Sequence, residues 1–527
     1  MNLYDLLQPV LYATVDSSHT VNAHAITSLV YDSRHVERGS LFIAIKGYHS
    51  DGHEYIVQAV QQGAVAVVVD SRYWDRQAML DALAAQQLPI PHIVVVPDSR
   101  TVLPDLAAAF YHYPAQRLGT VGITGTKGKT TTASLIARTL DGGGYSTGLI
   151  NSVDFKIGAR EWPNTTRQST PEAPQVQALL YEMVAANCDY AVIEATSHAL
   201  SPLWRRVDQC AFDVAVFTNL GHEHLDYHGS FEQYQRDKQR LFELLDEELP
   251  TTTTPHPAKA RKWAIANAED RHHAAFLAAA PHHAERLTYG IQAPAHIRAY
   301  DIESSAAGSR MRVATPWGDA ELVLQLPGTF NVQNALAALS VALSQGVTLD
   351  QACAALGAVR GVRGRMQPIH AGQPFSVIVD YAHNPESFTQ VFAMLRPLTR
   401  GKLIAVFGSA GERDREKRPM QGAIAAEHCD LLIVTDEDPR REDPQQILAE
   451  IAAGAVQRGK RIGSDCLLIA DRPTAIRTAL AYAHPEDVVL LLGKGHETSI
   501  EYADGKHAWD EVAEARAGLA ELGYTEG

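Results

Sequence analysis

The sequence predicts an α/β protein made of several parallel-sheet domains, and three observations carry that expectation. Short apolar runs alternate with helical stretches along nearly the whole chain, the pattern of strands joined by covering helices. The 527 residues are 46% hydrophobic and 20% charged. At about 100 to 200 residues per domain, that is enough apolar mass for roughly three or four cores. No segment repeats at solenoid length, so the cores are separate rather than stacked.

Taken in order, the first region has a strand-like run at 41–45, a helical stretch at 54–62, strands at 64–69 and 92–96, and a closing helix at 101–113. Pro114 breaks the pattern. A second region opens with a strand at 118–124 and a Gly-rich turn, which leads into a helix-forming stretch at 133–140. It continues through strands at 190–194 and 214–219 and ends around the helical 331–345. The Thr-rich tract at 251–257 reads as an exposed, flexible loop. A third region follows residues 363–366, with strands at 376–380, 403–407, 431–435 and 488–492.

Charge narrows the function. With 46 Lys plus Arg against 61 Asp plus Glu, the formal charge is −15. An unaided grip on nucleic acid needs a basic stripe, so none is expected, although local pockets for phosphates are compatible. Residues 1–11 lack a basic stretch leading into an apolar one, and no run approaches the roughly 18 apolar residues of a membrane span. A cytoplasmic protein without membrane insertion is expected. Cys188, Cys210, Cys353, Cys429 and Cys466 are far apart and never form CxxC, so they read as core thiols.

The strongest local signal is the run from Gly122 to Thr132, Gly-Ile-Thr-Gly-Thr-Lys-Gly-Lys-Thr-Thr-Thr, between a β-rich run and a helix. Glycines let backbone N–H groups curl around a polyphosphate at a helix N-terminus, Lys129 supplies charge, and the Thr130 hydroxyl can ligate Mg2+. Gly125 stands only three residues before Gly128, which gives the short G-T-x-G-K-T form rather than the full Walker A spacing. A Gly-rich turn with a chance Lys-Thr is the bland alternative. No Asn-Lys-x-Asp element reads guanine, which points to ATP.

The strand at 190–194 ends in Glu194, a carboxylate where a parallel sheet opens its ligand crevice, suited to a metal between nucleotide and protein. A solvated strand end is its ordinary alternative. The run from Thr218 to Gly229 packs His222, Glu223, His224, Asp226 and His228 together. Zinc is the first temptation, but no thiolates accompany them, and His224 is better read as ligand to a second divalent ion beside Mg-ATP. The other histidines read as structural. Lys238, in the helical Tyr234–Phe242 run, would ordinarily be a solvated surface charge.

These residues together resemble the Mur ligases, the ATP-dependent amide-forming enzymes of peptidoglycan synthesis. The short phosphate loop, the Glu before Ser197-His198-Ala199-Leu200, the His224-Leu225-Asp226-Tyr227-His228-Gly229 run and the Tyr234-x-x-x-Lys238-x-x-Leu241-Phe242 helix occur in the family's order. So do Gly328-Thr329-Phe330-Asn331-Val332-Gln333-Asn334, Gly364-Arg365-Met366, Asp380-Tyr381-Ala382-His383-Asn384-Pro385 and Gly493-Lys494-Gly495-His496-Glu497. Tyr31-Asp32-Ser33-Arg34 and Asp51-Gly52-His53 look like the UDP-binding domain of the MurE-type branch, which adds the third peptide residue to UDP-N-acetylmuramoyl-L-alanyl-D-glutamate.

The resemblance implies a small UDP-binding α/β domain at 1–99, a central P-loop ATPase-like domain with a mainly parallel sheet at 100–362, and a C-terminal Rossmann-like amino-acid domain at 363–527. Lys238 aligns with a lysine that is carbamylated in the family, and Thr130, Glu194, His224 and that carbamate would hold Mg2+. Lys129, Lys238, His224 and Glu194 are the implied catalytic set. ATP falls to Gly125, Thr126, Lys127, Gly128, Lys129, Thr130, Thr131, Asn331, Asp380 and His383, with domain closure completing the site. A strand-end Asp capping a helix is the other reading of Asp380. The nucleotide-sugar falls to Ser33, Ser169, Thr170, Thr196 and Arg206. Between Leu200 and Arg206 the chain is about two residues longer than the family pattern.

The implied reaction phosphorylates the substrate's D-glutamate carboxylate and lets an incoming amine displace phosphate. The incoming diamino acid falls to Arg413, Glu437, Asp438, Arg440, Gly493 and Glu497. Where diaminopimelate-adding enzymes carry Asp-Asn-Pro-Arg, this chain has Glu437-Asp438-Pro439-Arg440. A carboxylate repels a distal carboxylate and prefers an ammonium, which favours L-lysine or L-ornithine. The retained Arg440, with Arg413, keeps meso-diaminopimelate as the alternative. Folylpolyglutamate synthetase, which shares the short loop, and an inactive nucleotide-binding scaffold are the more distant alternatives. A monomer is expected.

Overall fold

The computed structural model describes residues 1–10, 14–16, 25–47, 50–166, 168–221, 225–250 and 254–525. They form two compact units, Met1–Tyr289 with Ser344–Gly346, and Gly290–Leu343 with Val347–Gly527.

The first unit begins with a five-stranded sheet in the order Thr14–Asp16, His92–Val96, Ala66–Asp70, Ser40–Ile43, Ser28–Val30, parallel except for Thr14–Asp16. Its inner strands Ser40–Ile43, Ala66–Asp70 and His92–Val96 are largely apolar on both faces, because both are covered. Leu41, Ile43, Val68, Val94 and Val96 pack with the helices Leu3–Leu7 and Leu103–Phe110. Phe42, Val67, Val69 and Ile93 pack with Ile56–Gln62 and Arg76–Ala85. The expected helix at 54–62 begins as a 3-10 turn, Gly52–Tyr55, because the Asp51 side chain accepts from the His53 N–H before the α-helix starts.

The same unit carries a second sheet, with the parallel strands Glu285–Gly290, Trp263–Asn267, Val214–Phe217, Gly119–Thr124, Tyr190–Glu194 and Thr147–Ile150 in that order. An antiparallel hairpin, Asp154–Ile157 and Arg160–Pro163, continues it. The expected loop at 251–257 lies partly outside the described residues, and Pro257 opens a 3-10 turn, Pro257–Ala260.

The second unit starts with an antiparallel meander, Ile297–Ser305, Gly308–Thr315 and Gly318–Leu324, and the helices Thr329–Ser344 and Leu349–Ala358 follow. Its main sheet runs Gln367–Ile369, Ser376–Asp380, Val488–Leu492, Leu403–Phe407, Leu431–Val434, Cys466–Leu468, parallel except for the first. Helices Pro385–Leu395, Lys417–His428 and Pro444–Gln457 cover one face, while Arg472–Tyr482 and Glu511–Glu521 cover the other. The loops after four parallel strands, at 381–384, 408–416, 435–443 and 493–498, therefore leave one sheet edge, where open α/β sheets bind ligands. All five cysteines are free and buried.

Candidate active site

Register sets up the nucleotide end, in the first unit. Gly119–Thr124 runs between Tyr190–Glu194 and Val214–Phe217, pairing Ile123 with Glu194 and Thr124 with Phe217. The Gly125 turn and the Glu194 carboxylate therefore leave the same sheet edge. Gly125 has φ 147°, and a Cβ there would sit 2.0 Å from Thr218 Oγ1, so only glycine fits. Gly128, at φ 84°, caps the helix Lys129–Gly142, which starts four residues before the expected 133–140. Lys129, Thr130 and Thr131 thus lie in its first turn, where backbone N–H groups lack intrahelical partners.

The loop is held from the next strand end. The Thr126 N–H donates to the Asn219 carbonyl at 2.8 Å, the Lys127 N–H to Asn219 Oδ1 at 2.9 Å, and Thr218 Oγ1 to the Lys127 carbonyl at 2.7 Å. Beneath it, Thr130 Oγ1 donates to Glu194 Oε2 at 2.9 Å. The same oxygen accepts from Ser152 Oγ at 2.9 Å and from the Ser152 N–H at 3.0 Å. Two sequence candidates meet here, joined by one the sequence reading missed. Ser152 follows Thr147–Ile150 in an irregular turn, with no motif to announce it. An all-oxygen donor set of this kind suits a hard cation such as Mg2+.

Lys238 is not a surface charge. The helix Phe231–Glu243 buries Tyr234, Asp237, Lys238, Leu241 and Phe242 on one face. Lys238 is 1% exposed, and its Nζ donates to the Gly125 carbonyl at 2.7 Å. Lys129 Nζ donates to the same carbonyl at 3.0 Å and to that of Thr126 at 2.8 Å. Tyr234 places its hydroxyl 3.0 Å from Thr126 Oγ1. His228 is structural: its Nδ1 lies 2.7 Å from Asp237 Oδ2 and its Nε2 3.0 Å from Ser197 Oγ, all buried. His224, with His222 and Glu223, lies outside the described residues. Among those described, no three His, Cys, Asp or Glu side chains cluster to hold a metal.

Beside Glu194 the nucleotide-sugar candidates gather. Thr170 Oγ1 donates to the Glu194 carbonyl at 2.7 Å and sits 3.3 Å from Thr196 Oγ1, which caps the helix Ser197–Leu200. Arg206 Nη2 pairs with Glu172 at 2.7 Å, and its Nη1 donates to the Thr170 carbonyl at 3.3 Å. Burial raises the pKa of Tyr31, and Glu172 adds to the rise. Ser33, buried at 8% exposure, faces Gln58 at 3.4 Å, and Ser169 is half-buried.

The second unit holds the amino-acid candidates. Asp380 ends its strand buried, accepting from the Met366 N–H and the Ala382 N–H, both at 2.8 Å. It braces two loops, while Asn384 caps the helix Pro385–Leu395. Burial pushes the Asp380 pKa up. His383 Nδ1 lies 2.8 Å from the Tyr381 carbonyl, and Asn331 anchors to Pro327 at 2.8 Å. Glu437 is buried with Oε2 lacking a hydrogen-bond partner among the described residues, and burial raises its pKa against the opposing charges of Lys417, His383 and Lys494. Gly493, at φ 99°, lets that carboxylate approach, since a Cβ would lie 3.1 Å from Glu437 Oε2.

Asp438 is neutralised from a distance in sequence. Lys494, fully buried, donates from Nζ to Asp438 Oδ1 at 2.9 Å and pairs with Glu497 at 2.6 Å. The Glu501 N–H also donates to Asp438 Oδ1, at 2.8 Å. Arg440 donates to the Gly411 carbonyl at 3.1 Å and lies 3.5 Å from Glu501. Arg413 is exposed. Underneath, fully buried Arg472 donates to the carbonyls of Asp436 and Leu492 at 2.9 and 2.7 Å and forks onto Glu511 at 2.9 and 2.6 Å. Those carbonyls immediately precede Glu437 and Gly493. Sequence reading missed Arg472, Glu511 and the partner role of Lys494; for Lys494, only its place in the Gly-Lys-Gly-His-Glu run was a signal.

Three family models match the chain: the Mur ligase family catalytic domain over residues 25–111, the Mur ligase middle domain over 123–342, and the Mur ligase glutamate ligase domain over 364–495. The chain is 58% identical over 499 residues to the UDP-N-acetylmuramyl-tripeptide synthetase of Roseiflexus sp. (strain RS-1), covering 95% of each. It is 39% identical to the UDP-N-acetylmuramoyl-L-alanyl-D-glutamate--2,6-diaminopimelate ligase of Geobacillus kaustophilus (strain HTA426), covering 94% of this chain and 96% of that one. A solved structure of a UDP-N-acetylmuramoyl-L-alanyl-D-glutamate--2,6-diaminopimelate ligase matches 97% of the chain and 98% of its own, with TM-score 0.67 and 28% identity. The chain belongs to the Mur ligase family of ATP-dependent amide-forming ligases, and within it to the MurE type. Its fold is the family's three-domain α/β arrangement.

Proposed function

We propose that this ligase joins a diamino acid to UDP-N-acetylmuramoyl-L-alanyl-D-glutamate, acting in the cytoplasm as a monomer. The observation that carries the reading is the convergence of Thr130, Glu194 and Ser152 beside a glycine loop onto which Lys129 and Lys238 both lean. A carboxylate is a poor acyl donor. One of its oxygens attacks the γ-phosphorus of ATP, ADP leaves, and the acyl phosphate so formed is attacked by the amine. Phosphate then departs and the amine loses a proton. Positioning and charge neutralisation are the protein's share. Lys129 faces the transferred phosphoryl group, while Thr130, Glu194, His224 and a carbamate on Lys238 would hold Mg2+, which neutralises phosphate charge when bound. Asn331, Asp380 and His383 would complete the ATP site.

For the third residue, a diamino acid without a distal carboxylate, L-lysine or L-ornithine, is favoured. Glu437, Asp438 and Glu497 gather three carboxylates around buried Lys494, with Lys417 and His383 also opposing Glu437, and Arg440 lies 3.5 Å from Glu501. An incoming ammonium pairs with such a cluster of carboxylates, whereas a distal carboxylate is repelled by it. Meso-diaminopimelate is the second reading, supported by the lysine already neutralising Asp438 and by the ligase from Geobacillus kaustophilus. Phosphate release with the UDP-linked dipeptide and lysine, ornithine or meso-diaminopimelate in parallel tests both. Turnover with lysine or ornithine is expected. Turnover with meso-diaminopimelate alone reverses the choice, and turnover only with a folate acceptor and glutamate defeats the function.

A further inference from the structure

The segment Leu200 to Arg206 carries an aromatic ring, Trp204, held by two cations. The Arg100 guanidinium lies 4.1 Å from the Trp204 ring centroid and that of Arg206 4.8 Å from it. Arg205 between them adopts φ 50°, a left-handed turn uncommon for a side chain with Cβ, held by Asp208 at 2.6 Å and by the Thr101 carbonyl. The indole N–H donates to the Tyr227 hydroxyl, and the Tyr227 ring lies against that of His198 with centroids 3.8 Å apart and planes tilted by 36°.

Two further facts bear on what this ring does. Arg206 is 9% exposed and spends Nη1 and Nη2 on Thr170 and Glu172, yet its Nε is buried with no acceptor among the described residues. A buried donor left so is costly and calls for an acceptor. Arg100 donates from Nη2 to the Lys46 carbonyl, so the ring joins the first sheet's loops to the Thr170–Thr196 cluster.

We propose that Trp204 is a positioning residue: it holds the Arg100 and Arg206 guanidiniums for an anionic group of the substrate, either the diphosphate or the dipeptide carboxylate. A guanidinium lying on a ring face holds its N–H donors in one plane, and for Arg206 the donor left over for a phosphate or carboxylate oxygen is Nε. The inference rests on the function proposed above.

Initial-rate kinetics on the full chain test it. Trp204→Leu raises KM for the UDP-linked dipeptide about 10-fold, the size of one well-formed cation–π contact, while kcat and the KM values for ATP and diamino acid hold. Trp204→Phe, which keeps a ring face, restores most of the affinity, and Arg100→Ala reproduces the Leu variant. The double variant Arg100→Ala with Trp204→Leu is no worse than either, because the residues act as one unit. UDP as a competitive inhibitor separates the sources. An inhibition constant that rises in parallel assigns the diphosphate, and an unchanged one assigns the carboxylate. Variants that melt like wild type with unchanged dipeptide KM overturn the inference. Should Trp204→Leu not fold, Arg100→Ala decides alone. A wild-type chain inactive on the dipeptide substrate defeats the function, and this inference with it.

Discussion

The nucleotide end and the amino-acid end are built from different materials. Around Gly125 the work falls to backbone: glycine torsions, a helix start, and carbonyls that receive Lys129 and Lys238. Around Glu437 it falls to side-chain charge, with Asp438, Lys494 and Glu497 compensating one another and Arg472 fixing the backbone below. A backbone cradle tolerates little change, since almost any side chain collides with it. A charge network can be retuned by one substitution, provided the remaining charges redistribute. On the proposed function, invariable chemistry belongs at the first end and substrate choice at the second.

The most severe way to break the contrast is at the nucleotide end. Lys238→Ala should lower phosphate release by about 10^2 to 10^3, the scale of losing one preorganised electrostatic group. Short-chain carboxylic acids should return part of it, and undiminished turnover without them would remove the carbamate from the mechanism. Next is the brace. Arg472→Met or Glu511→Gln strands a buried charge or breaks its pair, costing about 3–5 kcal/mol. Thermal denaturation should register either single change as a loss larger than that of the double variant.

A smaller effect sharpens the second end. Asp438→Asn leaves Lys494 with Glu497 as its ion-pair partner and should shift the kcat/KM ratio of meso-diaminopimelate over lysine upward by about 10-fold, within the reach of one polar contact. An unmoved ratio would place the discrimination elsewhere. The mildest test is pH. Burial pushes the Asp436 carboxyl up to about 6 against the pull of Arg472, from the ordinary aspartate value of 3.8. The folded state then binds the proton more tightly in that window, so stability falls as pH rises from 3.8 to about 6 and levels off above it. Asp436→Asn should flatten that part of the melting-temperature profile by a few degrees.

Legibility in the sequence followed the same divide. The strand, glycine loop and helix around Gly125 were readable because they are contiguous, and Glu194 because a parallel strand ends on it. Ser152 was not, since it reaches Glu194 only through the pairing of Thr147–Ile150 with Tyr190–Glu194. Asp438 was readable as a substitution but not as a neutralised group, because Lys494 stands 56 residues away. The meander was missed although residues 306–307 and the Pro316-Trp317-Gly318 turn divide alternating strands. Its outer positions are exposed, so its apolar content is thin. The strand Ser28–Val30 and the helix Arg76–Ala85 were too short or too weakly patterned to stand out.

Arg472 gives the second unit an economy of its own. One guanidinium fixes the backbone just before both Glu437 and Gly493, so the support beneath the proposed amino-acid site does not depend on the side chains at 437–440. On the proposed function, a lineage could change the diet of this enzyme by substitution there, without re-machining what holds it.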